Sequence, residues 1–183
     1  TYFYTSLQQV ISFDFSGSIN PVTDPFGRFG GYRNSNGGIA RGIELSLAAA
    51  ATRTLNASAS YTFTKSLQRT PQVPGVLQSF VIPEHQFSLV VSQRFGRRVL
   101  VNFDLAASSD YLAPILDASF ASRAYRFRGH VKADLGVSYT LPLRESRSLR
   151  FFGYVDNLFD RDNFESGFRT PGRTGRAGAS LSF

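Results

Sequence analysis

Few residues in this chain could do covalent chemistry. Its 183 residues include no Cys and only two His, His85 and His130. The lack of Cys removes disulfide frameworks, thiolate-bound zinc and cysteine nucleophiles in one step. Two histidines leave no room for a His-rich metal site. The one hydrolase-like constellation is His130 with Asp104 and Ser138, which share a parity in alternating segments and so a face. A serine nucleophile needs a base in hydrogen-bond reach and a carboxylate behind it. Two histidines among so many serines make such a coincidence easy, and no nucleophile elbow accompanies it. Gly167, Gly172 and Gly175 with Pro171 form no phosphate loop, because no helix follows to supply an N-terminal dipole. The sequence therefore assigns no catalytic residue, cofactor or metal, and the chain reads as a non-enzyme.

The remaining chemistry is cationic. Lys and Arg number 20 against 13 acids, a net charge of +7. Arg123, Arg126, Arg128, Arg161, Arg169, Arg173 and Arg176 crowd into two stretches near the C-terminus. The planar guanidinium suits bidentate capture of oxygen anions. Arg126, Arg128, Arg161 and Arg169 are thus candidates for holding an anionic ligand, with plain solvent as the competing partner. Nucleic acid is not expected, since the basic residues are spread over loops and turns rather than gathered on one face.

The elements that would position these side chains are strands. Hydrophobic residues at 42% with a mean hydropathy of −0.13 exclude disorder. Eighteen Phe, eight Tyr and sixteen Gly suit a β-protein with many turns. Period-2 alternation dominates. It is cleanest over 55–64, where Leu55, Ala57, Ala59, Tyr61 and Phe63 alternate with Asn56, Ser58, Ser60, Thr62 and Thr64. The same split recurs over 85–94, 98–108, 130–141 and 176–183. It is looser over 2–13, over 38–49, where Arg41 falls on the apolar parity, and over 149–158, where Phe152 and Tyr154 fall opposite Phe151 and Val155. Eight strands result, and no helical period competes.

Links between the strands alternate in length. Ala50–Arg53, Phe95–Arg97 and Pro142–Arg147 are short. Asp14–Asn34, Lys65–Glu84, Ser109–Arg126 and Asp160–Arg173 are long. No run of about 18 apolar residues exists to form a membrane helix. Long loops on one side and short turns on the other match an outer-membrane barrel with a polar lumen, in preference to a soluble barrel with an apolar interior. With Phe183 ending a strand on the short-turn, periplasmic side, Phe95, Tyr139, Phe151 and Phe183 form a lower aromatic girdle, and Tyr61, Phe63 and Phe87 an upper one.

Ordered motifs carry a family resemblance. Asp156-Asn157-Leu158-Phe159-Asp160, then Gly167-Phe168, Pro171-Gly172-Arg173 and a final Phe183, resemble the end of a TonB-dependent outer-membrane receptor. Arg33-Asn34, Gly38 and Arg41-Gly42-Ile43-Glu44-Leu45, followed by Ala59-Ser60-Tyr61-Thr62-Phe63-Thr64-Lys65, resemble two successive strands of the same family. The resemblance implies an all-β antiparallel meander of about eight transmembrane strands, the C-terminal part of a 22-stranded barrel with a plugged lumen. Residues 1–183 would be one barrel segment without its N-terminal plug, and a chain that starts at Thr and has no Met is expected to be a piece of something longer. The implied function is uptake of a scarce nutrient (ferric siderophore, cobalamin, carbohydrate or similar). The implied partners are the plug, the TonB system reached through it, and outer-membrane lipid with lipopolysaccharide. The alternative is a complete eight-stranded barrel with a structural or adhesion role. The two differ at the sheet edges: the segment leaves 2–13 and 176–183 as bare edges, and the small barrel closes them tightly on each other. Within the meander, Asp104 and Lys132 are expected on one face as direct or diagonal neighbours, with Tyr111 opposite Tyr125 and His130 beside Ala106 to within two or four residues. The Asn157-Leu158-Phe159-Asp160 run is expected to end a strand and begin a turn.

Overall fold

The computed structural model describes residues 1–14, 31–119, 121–144, 147–165 and 168–183. Its strands are β1 (Tyr2–Ser6), β2 (Gln9–Asp14), β3 (Gly31–Asn36), β4 (Gly38–Ala50), β5 (Leu55–Gln68), β6 (His85–Phe95), β7 (Val99–Ser108), β8 (Tyr111–Leu116), β9 (Ser122–Phe127), β10 (Val131–Pro142), β11 (Ser148–Asp156), β12 (Phe164–Glu165), β13 (Phe168–Arg169) and β14 (Thr174–Ser182). Eight of them make one sheet in the order β1-β4-β5-β6-β7-β10-β11-β14. Every pairing in it is antiparallel. This is the expected meander of eight, and β1 and β14 are its two open edges.

Of the other six strands, β2 falls within the expected strand 2–13, and the rest lie mainly where the alternation reads as loop. β2 pairs with β3, β8 with β9, and β12 with β13. The first pair prolongs the β1–β4 ladder across a break at Gly37, whose missing side chain lets the backbone of Leu7 approach. The ladder continues through the break, with Leu7 N–H donating to Gly38 O at 2.9 Å and Gly37 N–H to Gln8 O at 3.0 Å. Gly31–Asn34, read as loop from sequence, is therefore strand, and β5 runs past Lys65 to Gln68. The Ser109–Arg126 link is a hairpin whose Pro114 disguised it. In a two-stranded ribbon the absent N–H of that proline costs no ladder bond, because it faces outward.

From β4 to β14 every registered pair joins residues of like parity. One face therefore collects the odd residues of seven strands, and these are the apolar ones. Its large side chains are left uncovered by protein: Leu45, Leu47 and Leu181 are each more than half exposed. Leu55, Ala57, Leu89, Val99, Val101, Phe103 and Leu135 are partly exposed, and Phe87, Val137 and Phe183 exposed. A soluble sandwich buries this face against a second layer. The aromatic girdles emerge as rungs: Phe95, Val99, Tyr139 and Phe151 are successive cross-strand neighbours, as are Tyr61 with Phe87 and Phe63 with His85.

The even face carries the polar ladder. Ser60 Oγ meets Ser88 Oγ at 2.8 Å, and Ser92 donates to Asn102 Oδ1 at 2.9 Å. Phe152 and Tyr154 sit on this face because glycines leave room for their rings. A Cβ on Gly136 would fall 2.7 Å from Tyr154 Cε1, and one on Gly178 would fall 2.6 Å from Phe152 Cζ. Arg150 and Arg176 cap the two rings, with guanidinium carbons 5.9 and 5.1 Å from the ring centroids.

The β7–β10 register lies two residues from direct opposition of Asp104 and Lys132, which are diagonal neighbours on one face as expected. Asp104 opposes Asp134, Lys132 opposes Ala106, and Tyr111 opposes Phe127. The tie that selects this register is Ser108, in place of Ala106, with His130. Ser108 N–H donates to His130 O at 2.9 Å, His130 N–H to Ser108 Oγ at 3.2 Å, and Ser108 Oγ meets His130 Nδ1 at 2.9 Å. An even shift keeps every residue on its assigned face. Lys132 instead pairs along its own strand with Asp134, Nζ to Oδ2 3.3 Å.

Candidate functional site

The buried cluster of the described residues lies in the long connections, not in the sheet: Tyr111, Ala113 and Phe127. These are inward positions of the β8–β9 hairpin. Tyr111 and Phe127, opposite in register, stack at 5.6 Å, and Tyr125 meets Phe127 edge-on at 4.9 Å. Two other long connections dock on this hairpin. The Tyr111 hydroxyl donates to Phe164 O at 2.9 Å while the Phe127 and Phe164 rings lie 6.3 Å apart. From the other side, Val81 N–H donates to Leu112 O at 2.7 Å. Three of the long connections thus form one continuous surface at one end of the sheet.

Two side chains fasten this surface to the strands. Asn157 is 2% exposed and takes a left-handed φ of 52°, a conformation Asn tolerates better than most residues. Its Nδ2 donates to Arg161 O (2.9 Å) and Pro171 O (3.4 Å), and its Oδ1 accepts from Arg161 N–H (3.2 Å). Its own N–H donates to Asp134 Oδ1 at 2.8 Å. The expected turn-forming role is what the geometry shows. Asn163, which the sequence reading passed over, accepts the first β10 N–H, from Val131, at 3.0 Å. The signal for it was its place six residues after Asn157 among Asp and Arg, a pattern that solvated turns share.

At the hairpin tip, Asp117 gathers four donors: the Ser119 hydroxyl, Arg123 Nε at 2.6 Å, and the N–H groups of Ala121 and Ser119. These hold its carboxyl down to about 2, the Ser119 hydroxyl contributing most and Arg123 next.

The four arginine candidates fall on two of the docked connections. Arg126 lies on β9 opposite Leu112, and Arg128 follows Phe127; both are exposed. Arg161 is exposed, with its backbone wrapped by Asn157. Arg169 on β13 is bound to Asp162, so its charge already has a partner. The Phe127–Phe164 packing brings the two groups to one surface, and among the described residues no contact joins the four guanidiniums to each other. Gly167 lies outside the described residues.

The hydrolase constellation is taken apart by the register. Ser138 pairs with Leu100, eight residues along β10 from His130, a separation of roughly 27 Å. Asp104 faces Asp134, and His130 holds Ser108. Among the described residues no group of three or more His, Cys, Asp or Glu is placed to hold a metal.

A family model described as TonB dependent receptor-like, beta-barrel matches residues 1–158. The chain belongs to that family of outer-membrane receptor barrels. No curated protein sequence matches it. Among solved structures it resembles the ferric-catecholate import receptor Fiu of E. coli, at 24% identity and a TM-score of 0.62 over 80% of this chain and 22% of that one. It also resembles P. aeruginosa FpvA bound to heterologous pyoverdines, at 15% identity and a TM-score of 0.67 over 94% and 23%. The ferric enterobactin receptor PfeA of Pseudomonas aeruginosa matches at 18% identity and a TM-score of 0.64 over 98% and 27%. At these identities the likeness is one of fold, and the chain spans about a quarter of each. The open edges at β1 and β14 set aside a closed eight-stranded barrel.

Proposed function

We propose that this chain is the C-terminal wall segment of an outer-membrane receptor that takes up a scarce nutrient, with a ferric siderophore as the foremost substrate class. The supporting observation is the joining of three long connections, through Tyr111, Phe164 and Val81, into one surface above a strand wall whose outer face is apolar. Such a surface offers exposed Arg126, Arg128 and Arg161 to an anionic ligand arriving from outside. The named neighbours, which are receptors for ferric catecholate, pyoverdine and ferric enterobactin, favour an iron chelate over cobalamin or carbohydrate. The wall contributes loop contacts and part of the passage. Energy coupling belongs to a plug and to TonB, which the plug contacts. In this reading the C-terminus is periplasmic.

The experiment is iron-limited growth and ferric-siderophore binding by the full-length receptor, beside a variant carrying R126A and R128A. Loss of binding and growth on deleting the gene, with weaker binding in the variant, supports the reading. Unchanged growth and no affinity for any ferric chelate defeat it.

A further inference from the structure

One feature of the apolar face is left unexplained by transport. Arg41 lies on it, and its registered partner on β5 is Lys65, with Tyr4 of β1 on the other side. Both cations are exposed. Like charges directly opposite on one sheet face repel. Among the described residues neither makes an ion pair. The closest acid along β4, Glu44, has the other parity and so faces the other side.

The position of this rung is specific. The next rung towards the short turns is Tyr2–Ile43–Phe63–His85, and the one below it holds Tyr61 and Phe87. His85 Nδ1 meets Tyr61 Oη at 2.7 Å and its ring leans on Phe63 at 5.2 Å. These are the upper girdle, the level at which amphipathic rings meet lipid headgroups. Arg41 is nine residues above Ala50, the end of β4; at about 3.4 Å per residue and a tilt near 40° that is about 23 Å, the upper limit of an apolar band about 25 Å tall. The rung beyond, Ser6–Ile39–Leu67, returns carbon to the surface. The cation pair is therefore flanked by apolar rungs on both sides, at headgroup depth.

From this juxtaposition we infer that Arg41 and Lys65, with Tyr4 beside them, bind the phosphate of a phosphorylated lipid in the leaflet on the long-loop side. Arg41 offers a fork for two phosphate oxygens and Lys65 a point charge, while Ile43 and Phe63, one rung towards the membrane interior, lie against the lipid's carbon. A bound phosphate turns the repulsion between the two cations into a shared attraction. This inference rests on the membrane-barrel reading and not on the transported substrate.

The test uses the full-length receptor in phosphatidylcholine nanodiscs, titrated with bisphosphorylated lipid A and read by native mass spectrometry. The double variant R41Q/K65Q is expected to bind it about thirtyfold more weakly, a factor of about five for each cation. The exchange R41K/K65R should keep most of the affinity, and R53Q, at the short-turn end, all of it. Lipid A stripped of its phosphates should bind the wild type as weakly as the intact lipid binds the double variant. Equal affinity of wild type and double variant overturns the inference, as does equal affinity for the stripped lipid. Full competition by millimolar inorganic phosphate would reduce the site to a simple ion site and overturn the lipid assignment. Heat-modified mobility on gels confirms that each variant is folded; should the double variant fail there, the single variants each lose about fivefold. Ferric-chelate binding is measured on the same preparations, so failure of the transport reading is scored separately.

Discussion

At the scale of single residues, the long connections are held by a few polar side chains, not by area. Replacing Asn157 by Ala leaves the Arg161 and Pro171 carbonyls and the Arg161 N–H without their partner and puts at a left-handed φ a residue that tolerates it less well than Asn. The expected loss is about 2–4 kcal/mol in urea unfolding of the membrane-inserted receptor. Asn157→Gly should regain only the backbone share of it. Asp117 predicts a pH dependence. Its folded carboxyl titrates near 2 in place of the ordinary 3.8, so its contribution to the hairpin tip is complete above about pH 4 and is lost as pH falls through about 2. A carboxyl titration of Asp117 by NMR with a midpoint near 3.8 would show that the clamp does not form.

At the scale of elements, parity decides cost. Leu135→Arg puts a cation on the lipid face near mid-membrane and should cost about 2–4 kcal/mol in a bilayer folding titration. Ser138, three residues on and of even parity, lies on the polar face. Ser138 is 6% exposed between Leu100 and Phe152, so the tolerated site on that face is the exposed Ser58, where Arg should change little. Equal costs at Leu135 and Ser58 would refute the face assignment. On β14, Gly178→Val drives a side chain into the Phe152 ring and should cost about 1–3 kcal/mol. The cost should shrink when Phe152 is already Ala, because the two groups contend for one space. Additive losses in that double-mutant cycle would mean the ring does not lie on the glycine.

At the scale of the whole molecule, the open edges govern behaviour. β1 and β14 each expose unpaired backbone along one side, and the odd face adds exposed Leu45, Leu47 and Leu181. Bare edges and an uncovered apolar face both favour association. Residues 1–183 expressed alone should sediment as aggregates in detergent-free buffer. A monodisperse soluble monomer in that experiment would argue against the membrane reading. Inside a complete barrel, both edges find strands and the face finds lipid.

The eight strands of the main sheet, their faces and their membrane character were legible in the sequence because each depends on a local period: alternation names the face wherever the strand pairs. Arg41 on the wrong parity and the two girdles were equally legible, since parity survives any even shift in register. Register itself was not, and neither was the site. Asp104 faces Asp134 and not Lys132 because Ser108 and His130, distant in sequence, lock together at the head of two strands. The hairpin of β8 and β9 went unseen because Pro114 and a short apolar stretch look like loop until the partner strand supplies the ladder. The arginines were named from composition, but only the packing of Tyr111, Phe127 and Phe164 shows that their two connections share a surface. Alternation is a property of one strand, whereas register and loop docking are properties of pairs of segments, and the contacts that decide them join residues far apart in the chain.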